Sequence, residues 1–297
     1  MPAEARSARS EPAPTLADKL RFLASPAAHA GMGRAPECVE THMSWLFFAG
    51  ERVLKLKKPV RFPFLDFSTL PAREFYCREE LRLNSRLAPG VYLGLIALQA
   101  GDGGLTLVPE EDLPGPGATV DWLVVMRRLP PEPMLQRLIG QGRVAPHDID
   151  ALVTVLAAFY AIARKASVTP PDYLARFQRE QAANREVLLR PQFQLRDAAL
   201  ALDRFDAALL DHAPLLCERA DSCKLVDGHG DLRPEHVWLL RPPVVIDCLE
   251  FNAQLRQVDP FDEIAFLAME CSVAGAAWIG PRLIAGCEAA LNDHPAA

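Results

Sequence analysis

Val226-Asp227-Gly228-His229-Gly230-Asp231-Leu232-Arg233-Pro234-Glu235-His236 is followed, after Val237-Trp238-Leu239-Leu240-Arg241-Pro242-Pro243, by Val244-Val245-Ile246-Asp247. The reading of this stretch decides the fold. Residues 236–240 and 244–246 form two short apolar runs around Arg241-Pro242-Pro243, the pattern of an antiparallel hairpin. A hairpin returns the chain to where it began, so Asp231, His236 and Asp247 are expected to converge on one small volume. Carboxylate oxygen at Asp247 suits a hard cation such as Mg²⁺. The blander alternative is a chance tripeptide in a turn, with Asp247 capping a strand end.

Composition sets the surroundings. The chain has 297 residues, half of them hydrophobic, enough for one large core or two modest lobes. Lys and Arg total 32 against 38 Asp and Glu, a formal charge of −6, which disfavours a broad nucleic-acid surface. Seven cysteines (Cys38, Cys77, Cys217, Cys223, Cys248, Cys271, Cys287) include no C-x-x-C pair, a usage that fits a reducing compartment. Residues 1–14 mix Arg, Glu, Ser and Pro without the apolar centre of a signal peptide and read as a disordered lead. The most apolar run, 151–163, falls short of the ~20 residues of a membrane span. These features place the protein in the cytoplasm, bound to neither membrane nor nucleic acid.

Working back toward the N-terminus, residues 16–23 carry leucines at helical spacing. Strands are expected at 45–48 and 52–56 around Ala49-Gly50-Glu51, at 91–98 and 105–108 around Gly101-Asp102-Gly103-Gly104, and at 120–126. A helix is expected over 76–87. Beyond Pro133 the periodicity turns helical, over 148–163, 171–189 and 198–210. Asp259-Pro260 opens a further helix, with Asp at the N-cap, Pro at the first position and a buried stripe of Phe261, Ile264, Ala265 and Ala268. Fold class is therefore α+β in two lobes: a β-rich N-lobe (15–126), a hinge (127–131) and a mostly α-helical C-lobe (132–297).

The opening stretch resembles the kinase catalytic loop H-R-D-L-x-x-x-N, which is followed by a metal-binding Asp on the next hairpin. Small-molecule kinases of the aminoglycoside phosphotransferase type read H-G-D there, matching His229-Gly230-Asp231. The resemblance extends through Glu40-Thr41-His42-Met43-Ser44, residues 54–68, Glu79-Glu80-Leu81-Arg82-Leu83-Asn84, Val91-Tyr92-Leu93-Gly94 and Ile246-Asp247-Cys248-Leu249-Glu250-Phe251-Asn252. It covers about 37–285 and points to a bacterial branch of that family often fused to a P-loop kinase domain, although no G-x-x-x-x-G-K-[ST] occurs here. Relative to that family, the C-lobe reads as shortened at its C-terminus.

The resemblance implies a protein-kinase-like fold and transfer of the γ-phosphoryl group of ATP to a hydroxyl of a small molecule. Phosphoryl transfer needs a cation on the phosphates, metal ligands and a carboxylate for the attacking hydroxyl. Asp231 and His229 take the catalytic places and Asp247 the Mg²⁺ ligand place. Lys55 of Val53-Leu54-Lys55-Leu56 takes the phosphate-binding Lys place, paired with Glu80 or, failing that, Glu79. Lys57 shares the face of Lys55 but looks like the strand's exit. Thr41 and Ser44 stand where backbone and hydroxyl groups would cover the phosphates in place of the missing G-x-G-x-x-G, or else form an ordinary β-turn. Met126, at the switch between lobes, is assigned to the nucleotide side.

His236 stands where these kinases carry Asn. Imidazole suits softer metals, so either the second metal is lost, or it is Mn²⁺, or Glu250 replaces the ligand, or His236 is a structural residue bonded to backbone. A nucleotide-binding pseudokinase is the alternative function. Asp262 or Glu263 is the acid that would brace the catalytic loop, unless both merely cap their helix. Phe62, Phe64 and Phe67 are read as packing between the lobes, with an entrance lining as the other option.

Overall fold

The computed structural model describes residues 13–29 and 34–295, so residues 1–12 of the expected lead lie outside the described residues. The chain divides into two compact units, Met1–Pro130 and Pro131–Ala297. The first carries the sheet and the second most of the helices.

In the first unit, α1 (Leu16–Leu23) begins with a reciprocal cap: the Asp18 N–H donates to the Thr15 hydroxyl and the Thr15 N–H to the Asp18 carboxylate. Then come β1 (Glu37–Glu40), β2 (Ser44–Ala49), β3 (Arg52–Lys57), the small hairpin β4 (Arg61–Phe62) and β5 (Leu65–Asp66), α2 (Leu70–Asn84), β6 (Tyr92–Gly101), β7 (Gly104–Pro109) and β8 (Ala118–Arg127). Six of these strands form one antiparallel sheet in the order β1-β2-β3-β8-β6-β7. Strand alternation sorts the side chains. Leu54 and Leu56 of β3 join Phe47, Leu98, Leu123 and Val125 in a core closed by Leu23 of α1. Lys55 and Lys57 take the opposite face, where Glu80 of α2 meets them.

One buried carboxylate ties both helices to the sheet. Asp121 of β8 accepts from Lys19 of α1 (2.8 Å) and from Arg73 of α2 (2.7 and 3.1 Å). Arg73 also donates to the Phe67 carbonyl, so the end of the β4–β5 hairpin is held by the same side chain.

In the second unit, α3 (Leu135–Gly140), α4 (Pro146–Ile162), α5 (Pro170–Leu188) and α6 (Ala198–Asp221) precede β9 (Val226–Asp227), β10 (Val237–Trp238) and β11 (Val244–Val245). They are followed by α7 (Ala253–Arg256), β12 (Gln257–Val258), α8 (Pro260–Val273) and α9 (Ile279–Leu291). Helix α9 packs on both α4 and α8, and α5 pairs with α6. β10 pairs with β11 and β9 with β12, both antiparallel. All seven cysteines are free thiols. No helix among the described residues is long and apolar enough to cross a membrane.

Three local expectations are corrected. Helix α2 starts at Leu70, not 76, because Thr69 caps it and Pro71 suits a first turn. Helix α6 runs on through Pro214 to Asp221; the carbonyl that Pro214 leaves unpaired belongs to the solvent-exposed Leu210, where water can satisfy it. On α8 the buried stripe takes Leu267 and Cys271, while Ala265 faces solvent. Phe62 and Phe64 lie side by side on the small β4–β5 hairpin. They stack on each other with ring centroids 5.8 Å apart and are 41% and 47% exposed, whereas Phe67 is fully buried under the Lys57 ammonium.

Candidate active site

The first unit holds a buried charge cluster. Glu80, on the face of α2 turned to the sheet, is fully buried; Lys55 lies 2.8 Å from one of its oxygens and Lys57 donates to the other at 2.6 Å. Glu79 points away and pairs with Arg82 on the helix surface, which settles the Lys55 partner as Glu80. Lys57, assigned to the strand's exit in the sequence, is instead as buried as Glu80. The strand alternation that puts it on the Lys55 face prevails over the exit-like Lys58-Pro59 that follows.

The turn after β1 closes on itself. Ser44 N–H donates to the Thr41 hydroxyl (3.0 Å), and Thr41 N–H donates to the Ser44 carbonyl (2.8 Å). Met126 sits in β8 opposite Val53 and Tyr92 and is half-buried.

The second unit builds its loop from the backbone outward. β9 delivers the chain to Gly228, whose N–H donates to the Arg256 carbonyl (2.8 Å). A Cβ at Gly228 would stand 2.6 Å from a Glu263 oxygen. Gly230 adopts φ +86°, in the left-handed region that L side chains avoid, and a Cβ there would stand 2.9 Å from Arg256. Both glycines are therefore steric requirements of the braces around them.

Three side chains supply those braces. The Glu263 carboxylate accepts from the N–H of His229 (3.1 Å), the N–H of Gly230 and the hydroxyl of Tyr160 (2.8 Å). Burial pushes the Glu263 carboxyl above its ordinary value, and these donors oppose the shift. Arg256, nearly fully buried, donates to Asp227 (3.0 Å) and to the Leu249 carbonyl (2.7 Å), joining the chain before Asp231 to the chain after Asp247. His229 is wholly buried. Its Nδ1 accepts from the Asp231 N–H (3.2 Å), so its Nε2–H donates to the Ile246 carbonyl (2.9 Å), which fixes the neutral tautomer.

Of the candidate acids, Glu263 is thus the loop brace. Asp259 caps α8 through the Phe261 N–H (2.9 Å) and also holds Arg219 of α6 in a bidentate pair. Arg256, Asp227 and Tyr160 carried no local signal. Their partners lie 29 residues away for Arg256 and Asp227, and 103 for Tyr160 and Glu263.

What these braces hold is a carboxylate pair around an imidazole. The His236 backbone carbonyl accepts from the Ile246 N–H (2.9 Å), continuing the β10–β11 ladder and drawing Asp247 alongside. His236 Nδ1 lies 3.7 Å from an Asp231 carboxylate oxygen, and its Nε2 lies 3.8 Å from an Asp247 oxygen. Asp247 has φ +60°, a strained position for a residue with a Cβ, kept by the hairpin and by Arg256 beyond it. Burial raises the Asp231 carboxyl above its ordinary value; the His236 and Arg233 side chains work against the shift, and Asp247 and Glu235 add to it. Glu250 lies farther along this stretch, with its backbone carbonyl 3.5 Å from Arg256. Asp231, His236 and Asp247 are brought together as the hairpin argument expects.

Comparison with known proteins gives a consistent picture. A family model described as a phosphotransferase enzyme family matches residues 79–296. Uncharacterized proteins of Mycobacterium tuberculosis and Mycobacterium bovis are each 31% identical over 271 residues, which cover 86% of this chain and 49% of theirs. The chain thus spans about half the length of the curated relatives it matches. Among solved structures, the GDP and kanamycin complex of an APH(2″) protein aligns with a TM-score of 0.50 at 13% identity. That alignment covers 93% of this chain and 83% of the other, a likeness of fold.

Proposed function

The chain belongs to the phosphotransferase enzyme family, and on that premise we propose that it moves the γ-phosphoryl group of ATP to a hydroxyl of a small molecule. The observation that carries this reading is the Asp231 carboxylate, set on a loop whose backbone is fastened by Glu263, His229 and Arg256, with Asp247 gathered beside it through His236.

Among the described residues no three His, Cys, Asp or Glu side chains are grouped to hold a metal ion on their own, so a divalent cation would rest on Asp247 together with the nucleotide phosphates. Asp247 offers carboxylate oxygen and is close to half exposed, Asp231 adds a second carboxylate, and the nearest ring nitrogen is within 4 Å of each. When bound, such a cation neutralises charge on the transferred phosphate. Asp247 would hold it, with His236 beside it and Glu250 the next acid along the loop.

Asp231 accepts the hydrogen bond of the acceptor hydroxyl and orients its oxygen toward phosphorus. A carboxyl raised by burial is a stronger base than an ordinary one, which suits it to receive that proton. His229 does not reach substrate in this scheme, since both ring nitrogens are spent on backbone; it is a positioning residue. Lys55, fixed by Glu80, supplies the cation for the nucleotide phosphates, and Met126 belongs to the nucleotide side. Thr41 and Ser44 contribute through the rigidity of their turn. The kanamycin in the similar structure belongs to that protein, and the acceptor here is an unassigned hydroxyl compound.

The test is transfer from γ-labelled ATP to pooled small metabolites with Mg²⁺ or Mn²⁺. A labelled product formed by the native protein and lost with Asp231→Ala supports the assignment. The same product at the same rate from Asp231→Ala refutes it, and a nucleotide-dependent rise in melting temperature without transfer under either metal favours a pseudokinase.

A further inference from the structure

Helix α6 is more apolar than its surroundings require. Ten of the thirteen residues 198–210 are Ala, Leu or Phe, and of those thirteen only Leu202 is buried. A helix that is apolar all round belongs inside a protein. Here α5 and α6 pack chiefly on each other, and α5 covers one side. Gln181 of α5 donates to the Leu202 carbonyl (3.1 Å), and Arg185 pairs with Asp203 and Asp206. Leu200, Phe205 and Leu210 are left 53%, 49% and 72% exposed.

The face of α6 turned away from α5 is symmetric about its middle. Leu200, Arg204, Ala207, Ala208, Asp211 and Leu215 share that side at helical spacing. Read from either end, the face gives a leucine, a charge and an alanine. The two charges are opposite in sign and exposed, and neither joins an ion pair among the described residues. A second α6 laid antiparallel, with the two-fold axis between Ala207 and Ala208, sets Leu200 level with Leu215 and Arg204 level with Asp211. Each pairing is then made twice. Alanine meets alanine at the crossing, where small side chains let helix axes approach closely.

We propose that this face of α6 is the contact between two copies of the chain in an antiparallel two-fold dimer. Such a contact is isologous, so the same patch must complement itself. A patch of one sign would repel its own copy and suit an oppositely charged surface instead. This face carries one arginine and one aspartate, placed so that a two-fold brings each to the other. The exposed leucines leave water in the same step, which supplies the association, and the charges fix its direction. The proposal stands apart from the phosphotransferase reading and draws on none of its residues.

The test is the molar mass of the full chain by sedimentation velocity over a range of concentrations. The native chain should reach the mass of two copies. Arg204→Asp sets carboxylate against carboxylate at both pairings and should weaken the dimer about tenfold or more; Asp211→Arg, which opposes two guanidinium groups, should do the same. The double exchange of Arg204→Asp with Asp211→Arg restores opposite signs and should recover most of the association. Both positions face water in the single chain, so the unfolding midpoint should stay near native, which separates lost association from lost fold.

The mass of one copy at every concentration overturns the proposal and leaves the face to a partner of another kind. A dimer untouched by either single substitution overturns it as well, because the contact then lies elsewhere. Weakening by both single substitutions without recovery in the double exchange contradicts the antiparallel pairing.

Discussion

The two charge clusters of this chain are built on opposite plans. Around Glu80, two ammonium groups and one carboxylate neutralise each other out of water: Lys57 and Glu80 are fully buried and Lys55 nearly so. Around Asp231 and Asp247, two carboxylates stand on either side of the His236 ring, and the loop is fastened by backbone hydrogen bonds to Glu263, His229 and Arg256. The first cluster is assembled by its own ion pairs, so its charges and its stability are inseparable. The second is assembled by braces set behind it, so Asp231 and Asp247 are not what holds their own loop together. Substitutions should therefore cost stability in the first cluster and activity in the second.

The largest stability effect is expected at Glu80→Gln. Leaving two buried ammonium groups beside a neutral amide should cost about 3–5 kcal/mol, the range for breaking a buried pair, measured by urea unfolding. Native stability in this variant would erase the distinction between the clusters. Arg256→Gln should cost nearly as much, because it removes the guanidinium that the buried Asp227 carboxylate faces. It should also lower kcat far more than it raises KM, since it loosens the chain on both sides of the carboxylates without touching substrate.

Tyr160→Phe removes one hydroxyl donor from the buried Glu263 carboxylate and should cost about 1.5–3 kcal/mol, the usual value for a hydrogen bond to a charged group. The same carboxylate sets a pH dependence. Its folded value is raised above the ordinary 4.5, so its contribution to stability is complete below that value and is lost as pH rises through the folded one. The stability of the native chain relative to Glu263→Gln should accordingly grow as pH is lowered from neutral toward 4.5; a difference independent of pH would contradict the raised value. At the small end, Phe64→Ser on the exposed β4–β5 hairpin should change stability by less than about 0.5 kcal/mol.

The contrast also explains what the sequence could and could not reveal. The 237–245 hairpin was legible because short apolar runs around Arg241-Pro242-Pro243 are a local pattern, and with it came the meeting of Asp231, His236 and Asp247. Lys55 was legible from strand alternation. Lys57 was discounted because Lys58-Pro59 resembles a strand exit, although alternation alone placed it on the Glu80 face. The braces were another matter. Glu263 looks like a first-turn acid that caps α8, and Arg256 like any polar residue on a four-residue helix. Each acquires its role from a partner distant in the chain, which no local periodicity encodes.

The most direct test of the account is the single-turnover rate of phosphoryl transfer by Asp247→Ala, taken with its unfolding midpoint. The loss of a group that stabilises transition-state charge typically costs about 10²–10³ in rate, so a drop of that order is expected with the midpoint close to native. A native rate, or a rate that falls only because the variant unfolds, would contradict the claim that this cluster is held by its braces and kept for chemistry.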